Sequence, residues 1–267
     1  MSCHPYAVIA AQRLLPVLRS PDADAAVRRA SALLAAGCRA VELTTSTPGW
    51  ADAVRRTVPL SDAHGRPALV GVGTVVTSAQ AEAALDAGAA FLISPYPAPE
   101  VRAVARRRSA VFIEGGFTPG EIASAVRSAG AAKVFPAHVG GPQFIRSLKA
   151  VLPDALIIPT GGIRPDEVRD WLDAGAAAVG IGSGLPADPG ELAAVFAALA
   201  GRCCADCSGA AGLGDGEGGS GVAGGAGAGD GTGVAGGADG VGVASGVEGP
   251  GGVEGSDVGG RVREGRA

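Results

Sequence analysis

Eight short apolar runs, separated by stretches with helical spacing, constrain the fold of this chain more than any other feature. Each run is continuous and is bounded by Gly, Pro, Ser or Thr, which is typical of parallel strands buried on both faces. The runs are Leu14–Leu18, Ala40–Leu43, Ala68–Val72, Phe91–Ile93, Ala110–Ile113, Lys133–Phe135, Leu156–Ile158 and Ala178–Ile181. Helical spacing predicts helices between them, among them Ala23–Ala36, Ala79–Ala87 and Pro165–Ala174.

Residues that begin and end helices separate these units. Helix starts are predicted at Ser78, at Thr118 before a proline, and at Arg164 before a proline. A Gly that closes a helix in the left-handed conformation is expected after four of the helices. These are the pairs Ala36-Gly37, Ala87-Gly88, Ala129-Gly130 and Ala174-Gly175.

Eight strand–helix units in about 200 residues predict the α/β class and closure into a (β/α)₈ TIM barrel. A doubly wound open sheet is the alternative, but no GxGxxG motif follows the first strand to support it. We assign the barrel to residues 1–202.

Residues 203–267 differ in composition and hold much of the chain's excess of glycine, which totals 45 residues. They contain no aromatic residue and no sustained period, so we predict a disordered low-complexity tail. Cys204 and Cys207 form a CxxC pair without a second pair of ligands. Reduced thiols are the expected state, a zinc site is the alternative, and we predict no metal or other cofactor.

Charge and hydropathy exclude several classes of function. The net charge of −4 and the pI of about 5.4 do not suggest a nucleic-acid-binding surface. No run of 18 apolar residues predicts a membrane span, and the first residues do not resemble a signal peptide. We therefore expect a cytoplasmic protein with neither nucleic acid nor membrane as partner.

Functional groups in such a barrel gather at the carboxyl ends of the strands, where Lys133 is the most informative residue. Only two of the 22 basic residues are lysines, and Lys133 lies in the apolar run Ala-Ala-Lys-Val-Phe-Pro-Ala. A buried amine loses its proton more easily and can then form an imine, which a guanidinium cannot. A snorkelling side chain or a salt bridge at the strand end is the alternative.

Glu42 is the second candidate because it lies inside the apolar run Val-Glu-Leu, where an unpaired carboxylate is costly. On the second strand it is placed to face Lys133 across the barrel and to transfer protons. A purely structural ion pair is the alternative. Glycines and a serine at the ends of the seventh and eighth strands resemble a phosphate cradle; they are Gly161, Gly162, Gly182 and Ser183.

Over about residues 12–198 the chain resembles the 2-keto-3-deoxy-6-phosphogluconate (KDPG) and 4-hydroxy-2-oxoglutarate aldolase family, and within it the branch of the 6-phosphogalactonate homologues. The motifs that carry the resemblance are Val41-Glu42-Leu43-Thr44, Gly71-Val72-Gly73-Thr74-Val75, Ile93-Ser94-Pro95, Lys133-Val134-Phe135-Pro136-Ala137, Gly141-Pro142-Gln143-Phe144, Pro159-Thr160-Gly161-Gly162 and Gly180-Ile181-Gly182-Ser183.

The resemblance implies a homotrimeric, metal-independent class I aldolase that cleaves a 2-keto-3-deoxy sugar acid phosphate to pyruvate and glyceraldehyde 3-phosphate. Lys133 would form the pyruvate imine, and Glu42 would act as general acid and base through water. Thr74 and Arg19 would hold the pyruvate carboxylate or neighbouring polar groups. The remaining residues carried over line the pocket or bind phosphate; they are Pro95, Phe135, Thr160, Gly161, Gly162, Gly182 and Ser183.

Two departures from the family pattern bear on the substrate. Many members have an arginine in the loop after the second strand, where this chain has Thr45-Ser46-Thr47, and Arg19 is our candidate to supply that charge. The fifth strand often ends in Pro-Gly, but here it ends in Glu114-Gly115. A second carboxylate near the pocket would repel the substrate carboxylate or compete for Lys133, so we expect Glu114 to alter substrate preference.

Three other functions remain open from the sequence. The first is an aldolase for 4-hydroxy-2-oxoglutarate or an unphosphorylated 2-keto acid. The second is a phosphate-binding barrel with chemistry that does not use Lys133. The third is a catalytically impaired barrel that serves as an assembly scaffold.

Overall fold

Eight parallel strands alternate with helices in residues 4–199, the part of the chain that the computed structural model describes. The strands are β1 (Leu14–Leu18), β2 (Ala40–Thr44), β3 (Leu69–Gly73), β4 (Phe91–Ile93), β5 (Val111–Gly116), β6 (Ala131–Val134), β7 (Leu156–Pro159) and β8 (Val179–Ile181). The helices are α1 (Pro5–Gln12), α2 (Ala23–Ala35), α3 (Trp50–Thr57), α4 (Ser78–Asp86), α5 (Pro99–Arg107), α6 (Pro119–Ala129), α7 (Ala137–Val151), α8 (Val168–Asp173) and α9 (Pro189–Leu199). A 3₁₀ turn, Pro165–Glu167, precedes α8.

The strands follow the order β7-β6-β5-β4-β3-β2-β1-β8, and β7 and β8 meet to close the cylinder. A parallel bridge between Thr160 and Gly180 joins these two strands. The backbone N–H of Ala177 also donates to the carbonyl of Ile157 at 2.9 Å. The predicted (β/α)₈ TIM barrel is therefore confirmed, and the open sheet is excluded.

Strand residues alternate between two hydrophobic cores, because successive side chains in a strand point to opposite faces. Residues such as Val41, Leu43 and Leu92 pack outward against the helices. A smaller inner core near the starts of the strands includes Leu15 and Phe91. Toward the carboxyl ends of the strands, the inner face changes from apolar to polar side chains.

Helix α1 packs at the amino-terminal end of the barrel, a feature absent from the sequence predictions. Its Val8 and Ile9 are buried in the inner core. The Gln12 side chain donates to the carbonyls of Leu14 and Ala40, at 2.6 and 2.9 Å. Because this end is filled, the inner face is left for function only at the opposite end.

The predicted helix ends agree with the backbone, with one correction. Gly37, Gly88, Gly130 and Gly175 all have positive φ. Helix α4 is capped by Thr77 rather than by Ser78: the Thr77 hydroxyl accepts from the backbone of Gln80, and the Gln80 side chain completes the capping box. Because Thr77 and Gln80 form this reciprocal pair, the helix cap lies one residue before the predicted position.

The predicted tail, residues 203–267, and the pair Cys204 and Cys207 lie outside the described residues. Among the helices of residues 4–199, none has both the length and the apolar character needed to cross a membrane.

Candidate functional site

Lys133 and Glu42 meet inside the barrel, from opposite strands β6 and β2. The Lys133 Nζ atom lies 3.4 Å from Glu42 Oε1. The side chains are 6% and 1% exposed, so water screens this pair very little. The structure thus brings together the two residues that the sequence singled out.

Glycines on β3 make room for Glu42. A Cβ atom on Gly73 would lie only 1.7 Å from Glu42 Oε1. Gly71, two residues earlier in β3, is covered by the Phe91 ring: a Cβ atom on Gly71 would lie 2.0 Å from that ring. No side chain at Gly73 is therefore compatible with the observed position of the carboxylate.

The environment of Glu42 suits a group that exchanges protons. Burial raises the pKa of the Glu42 carboxyl, while the charges of Lys133 and Arg19 oppose that rise. The second oxygen, Oε2, is buried and has no hydrogen-bond partner within residues 4–199. An unsatisfied buried oxygen is costly, so a water molecule or a substrate hydroxyl is expected to bind there.

Phe135 connects Lys133 to the end of β7. The Lys133 Nζ atom lies 5.7 Å from the centroid of the Phe135 ring. The same ring covers Gly161, where an added Cβ would meet it at 2.8 Å. Pro95 approaches from the end of β4, and its backbone lies where a side chain on Gly115 would be, at 2.4 Å.

The predicted phosphate cradle lies at the carboxyl ends of β7 and β8. Gly161 and Gly162 adopt φ values of +98° and +72°, which residues with a Cβ rarely adopt. Gly182 and Ser183 are exposed. Successive backbone N–H groups in such turns form concavities that bind anions.

Thr160 and His138 border this cradle. Thr160 is buried, and its hydroxyl occupies the space that a Cβ on Gly180 would need. The exposed His138 ring packs against Gly162, and its Nδ1 lies 3.3 Å from the carbonyl of Gly161. The sequence predicted a role for Thr160.

Arg19 and Thr74 lie at the ends of the strands that flank Glu42. The exposed Arg19 follows β1, and its Nε donates to Ser46 Oγ at 3.1 Å. Thr74 follows β3 with φ of +59°, an uncommon conformation for a residue with a branched Cβ. Such strain is concentrated at functional sites.

Glu114 lies in a different place from the one expected. The neighbouring Ile113 belongs to the inner core, so Glu114 points outward toward α5. Its Oε1 accepts from the backbone N–H of Ala98 at 2.7 Å, and its Oε2 accepts from Arg102. The expected competition for Lys133 is wrong, because strand alternation sends the two side chains to opposite faces.

Several polar residues around the site carried no predicted role. The buried Ser94 accepts from the backbone of Gly115 and donates to the carbonyl of Tyr96, which shapes the loop around Pro95. Thr44 and Ser46 bond to each other at 2.9 Å. The run of four hydroxyl residues at 44–47 is the sequence feature that could have indicated such bonds. Within residues 4–199, no three His, Cys, Asp or Glu side chains are grouped so as to hold a metal ion.

Comparisons with known proteins agree on one family. The sequence model described as KDPG and KHG aldolase matches residues 6–196. The 2-dehydro-3-deoxy-6-phosphogalactonate aldolase of Escherichia coli is 36% identical over 174 residues, 64% of this chain and 83% of that protein. The 2-dehydro-3-deoxy-phosphogluconate aldolase of Pseudomonas aeruginosa is 34% identical over 163 residues, 60% of this chain and 72% of that protein.

A solved structure adds a chemical observation about a similar protein. The KDPG aldolase of Legionella pneumophila, with pyruvate captured at low pH as a covalent carbinolamine intermediate, is 27% identical. It aligns with a TM-score of 0.64 over 74% of this chain and 99% of that chain.

Proposed function

The chain belongs to the KDPG and KHG aldolase family of carbon–carbon lyases, and from this we propose which reaction it catalyses. The substrate is 2-dehydro-3-deoxy-6-phosphogluconate or its galactonate epimer, and the products are pyruvate and glyceraldehyde 3-phosphate. Relatives named for both epimers support this substrate class. The observation that carries the proposal is the buried pair of Lys133 and Glu42, 3.4 Å apart.

The first step forms an imine. The neutral amine of Lys133 attacks the C2 carbonyl carbon of the substrate, and the resulting carbinolamine loses water. The position of the Lys133 side chain, 6% exposed inside the barrel and 3.4 Å from Glu42 Oε1, supports this role. Arg could not replace Lys133, since a guanidinium stays protonated.

The second step breaks the C3–C4 bond. The C4 hydroxyl loses its proton, the bond electrons move into the protonated imine, and the aldehyde leaves an enamine behind. Glu42 accepts this proton directly or through water at its unpartnered Oε2, and returns a proton to C3 of the enamine. The raised pKa of Glu42 supports this use, because the carboxyl then holds a proton in a higher pH range. Hydrolysis releases pyruvate and restores the amine.

The remaining residues bind the two ends of the substrate in this proposal. Thr74 and Arg19 hold the carboxylate or neighbouring polar groups, while Phe135 and Pro95 line the apolar wall. Thr160 borders the sugar-acid chain near the phosphate. The phosphate is bound by backbone N–H groups and by the Ser183 hydroxyl, at Gly161, Gly162, Gly182 and Ser183.

A coupled assay of pyruvate release tests the proposal. Both epimers of the phosphorylated keto acid are compared with 4-hydroxy-2-oxoglutarate, and pyruvate is followed through reduction to lactate. We expect kcat/KM to be at least about tenfold higher for a phosphorylated substrate, because the cradle adds charge-assisted hydrogen bonds. Higher kcat/KM for 4-hydroxy-2-oxoglutarate would instead support an aldolase for unphosphorylated acids.

The chain offers a matched control for Lys133. Its other lysine, Lys149, bonds to the carbonyl of Ala155 at 2.9 Å, away from the site. Lys133→Arg should abolish pyruvate release, whereas Lys149→Arg should retain it. Retained activity in Lys133→Arg would exclude imine chemistry at that residue.

The proposal extends to assembly and location. We propose a homotrimer in the cytoplasm, which rests on the family resemblance and on the composition of the chain. Light scattering on the purified protein would test the first part, and a mass of one or two chains would contradict it.

A further inference from the structure

Four consecutive hydroxyl residues, Thr44–Thr47, fasten the end of β2 to its two neighbouring strands. Three of them contact the backbone of another strand end. Thr44 Oγ1 donates to Leu18 O at 2.9 Å, Thr45 Oγ1 donates to Thr74 O at 2.7 Å, and Ser20 N donates to Thr47 Oγ1 at 3.1 Å. Ser46 is the member of this run that contacts a charged side chain instead.

Counting hydrogen-bond donors gives the direction of the bonds around Ser46. The single hydroxyl hydrogen of Thr44 is used in its bond to Leu18 O. The 2.9 Å bond between Thr44 and Ser46 must therefore be donated by Ser46. Ser46 Oγ is then left as an acceptor, and Arg19 Nε donates to it at 3.1 Å. The hydrogens form one ordered chain from Arg19 through Ser46 and Thr44 to the backbone of β1.

This chain of bonds leaves the outer end of Arg19 available. A guanidinium has five N–H donors, and Ser46 occupies the one on Nε. The four on the terminal nitrogens have no hydrogen-bond partner within residues 4–199. A pair of terminal nitrogens matches the two oxygens of a carboxylate or phosphate.

The charge of Arg19 also acts on Glu42, one member of the catalytic pair. The Arg19 charge lowers the pKa of Glu42 against the effect of burial. In the barrel, β1 lies between β2, which carries Glu42, and β8, which leads to Gly182 and Ser183. Arg19 therefore lies at the carboxyl-terminal end of the barrel, the end at which a substrate bound to Lys133 would present its oxyanions.

We propose that Ser46, supported by Thr44, is a positioning residue that orients the Arg19 guanidinium so that its terminal nitrogens bind an oxyanion of the substrate. This inference rests on the proposed function, since it assumes a keto acid at Lys133. The oxyanion is either the carboxylate at C1 or the phosphate at the far end of the substrate.

The test is a double-mutant cycle on Ser46→Ala and Arg19→Lys, with Ser46→Thr as the conservative rescue. Ser46→Ala should raise KM about fivefold to tenfold with little change in kcat, since it removes the hydroxyl that accepts a hydrogen bond from the charged Arg19 side chain. Ser46→Thr keeps the hydroxyl and should restore KM. In the Arg19→Lys background, Ser46→Ala should have no further effect on KM, because lysine has no Nε–H to hold.

Ser31→Ala is the matched control, because among residues 4–199 Ser31 Oγ bonds only to the carbonyl of Val27, within its own helix. Its KM should equal that of the wild type. Equal KM values for Ser46→Ala and the wild type would overturn the proposal. So would an effect of Ser46→Ala that persists undiminished in Arg19→Lys.

Trapping the pyruvate imine with borohydride separates the possible outcomes. If the pyruvate concentration for half-maximal trapping rises in Ser46→Ala, the oxyanion is the carboxylate. If only KM for the phosphorylated substrate rises, it is the phosphate. Normal trapping together with unchanged KM values would overturn the positioning role alone. Absence of any adduct in the wild type would overturn the proposed function as well.

Discussion

Replacing Glu114 by glutamine separates a structural role for this carboxylate from a role in substrate choice. Glutamine keeps a carbonyl oxygen that can accept from Ala98, but it removes the charge and turns an NH₂ group toward Arg102. Removing one partner of a buried ion pair costs about 3–5 kcal/mol. The Glu114 side chain is 3% exposed, but that of Arg102 is 25% exposed and can be partly rehydrated. We therefore expect the lower end of the range, about 3 kcal/mol of unfolding free energy.

Thermal unfolding followed by circular dichroism measures this loss. For a domain of this size, each kcal/mol lowers Tm by about 2–4 °C, so Tm should fall by roughly 6–12 °C. Below the transition, kcat/KM should change by less than about twofold, because the carboxylate lies on the outer face of β5.

Glu82→Gln is the control, since Glu82 pairs with Arg107 and Arg108 at the surface. Such pairs contribute about 0–1 kcal/mol, so its Tm should fall by no more than about 4 °C. Unchanged stability of Glu114→Gln, combined with a changed preference among keto acids, would refute this reasoning and restore the original expectation for Glu114.

Three further predictions concern the Glu42 carboxylate. Gly73→Ala should reduce kcat by at least about tenfold, because the new methyl group overlaps Glu42 Oε1; Gly120→Ala, which meets nothing within 4 Å, should leave kcat unchanged. Glu42→Gln should lower kcat by about 10²–10⁴-fold. Since burial raises the pKa of Glu42 in the folded state, the folded wild type retains a proton that the unfolded chain has lost. The free energy of unfolding of the wild type, relative to that of Glu42→Gln, should therefore fall as pH rises from about 4 through the raised pKa. Urea denaturation across this pH range measures the difference. A difference that rises with pH would contradict the prediction.

The sequence was sufficient to predict the barrel because its strands are buried on both faces. Continuous apolar runs such as Phe91–Ile93 coincide with strands to the residue. Helix α1 was missed because it is short and mostly apolar, so periodicity did not distinguish its buried face. Its role depends on packing against strand starts that are distant in the chain, and local patterns do not contain that information.

The site was only partly predictable for a related reason. Lys133 and Glu42 stand out locally, as charged residues within apolar runs. The position of Glu114 required the face of β5 to be known, and that depends on the register of the whole barrel. The contact between Ser46 and Arg19 joins two loops separated by 27 residues, and Oε2 of Glu42 is recognised as unpartnered only when all its neighbours are placed.

The most direct test of imine chemistry at Lys133 is reduction with borohydride in the presence of pyruvate, followed by peptide mass spectrometry. The proposed function predicts a pyruvate-derived mass increment on the peptide that contains Lys133, none on the peptide that contains Lys149, and none in Lys133→Arg. Absence of the adduct from a folded wild-type protein, or an equal adduct on Lys149, would contradict the account.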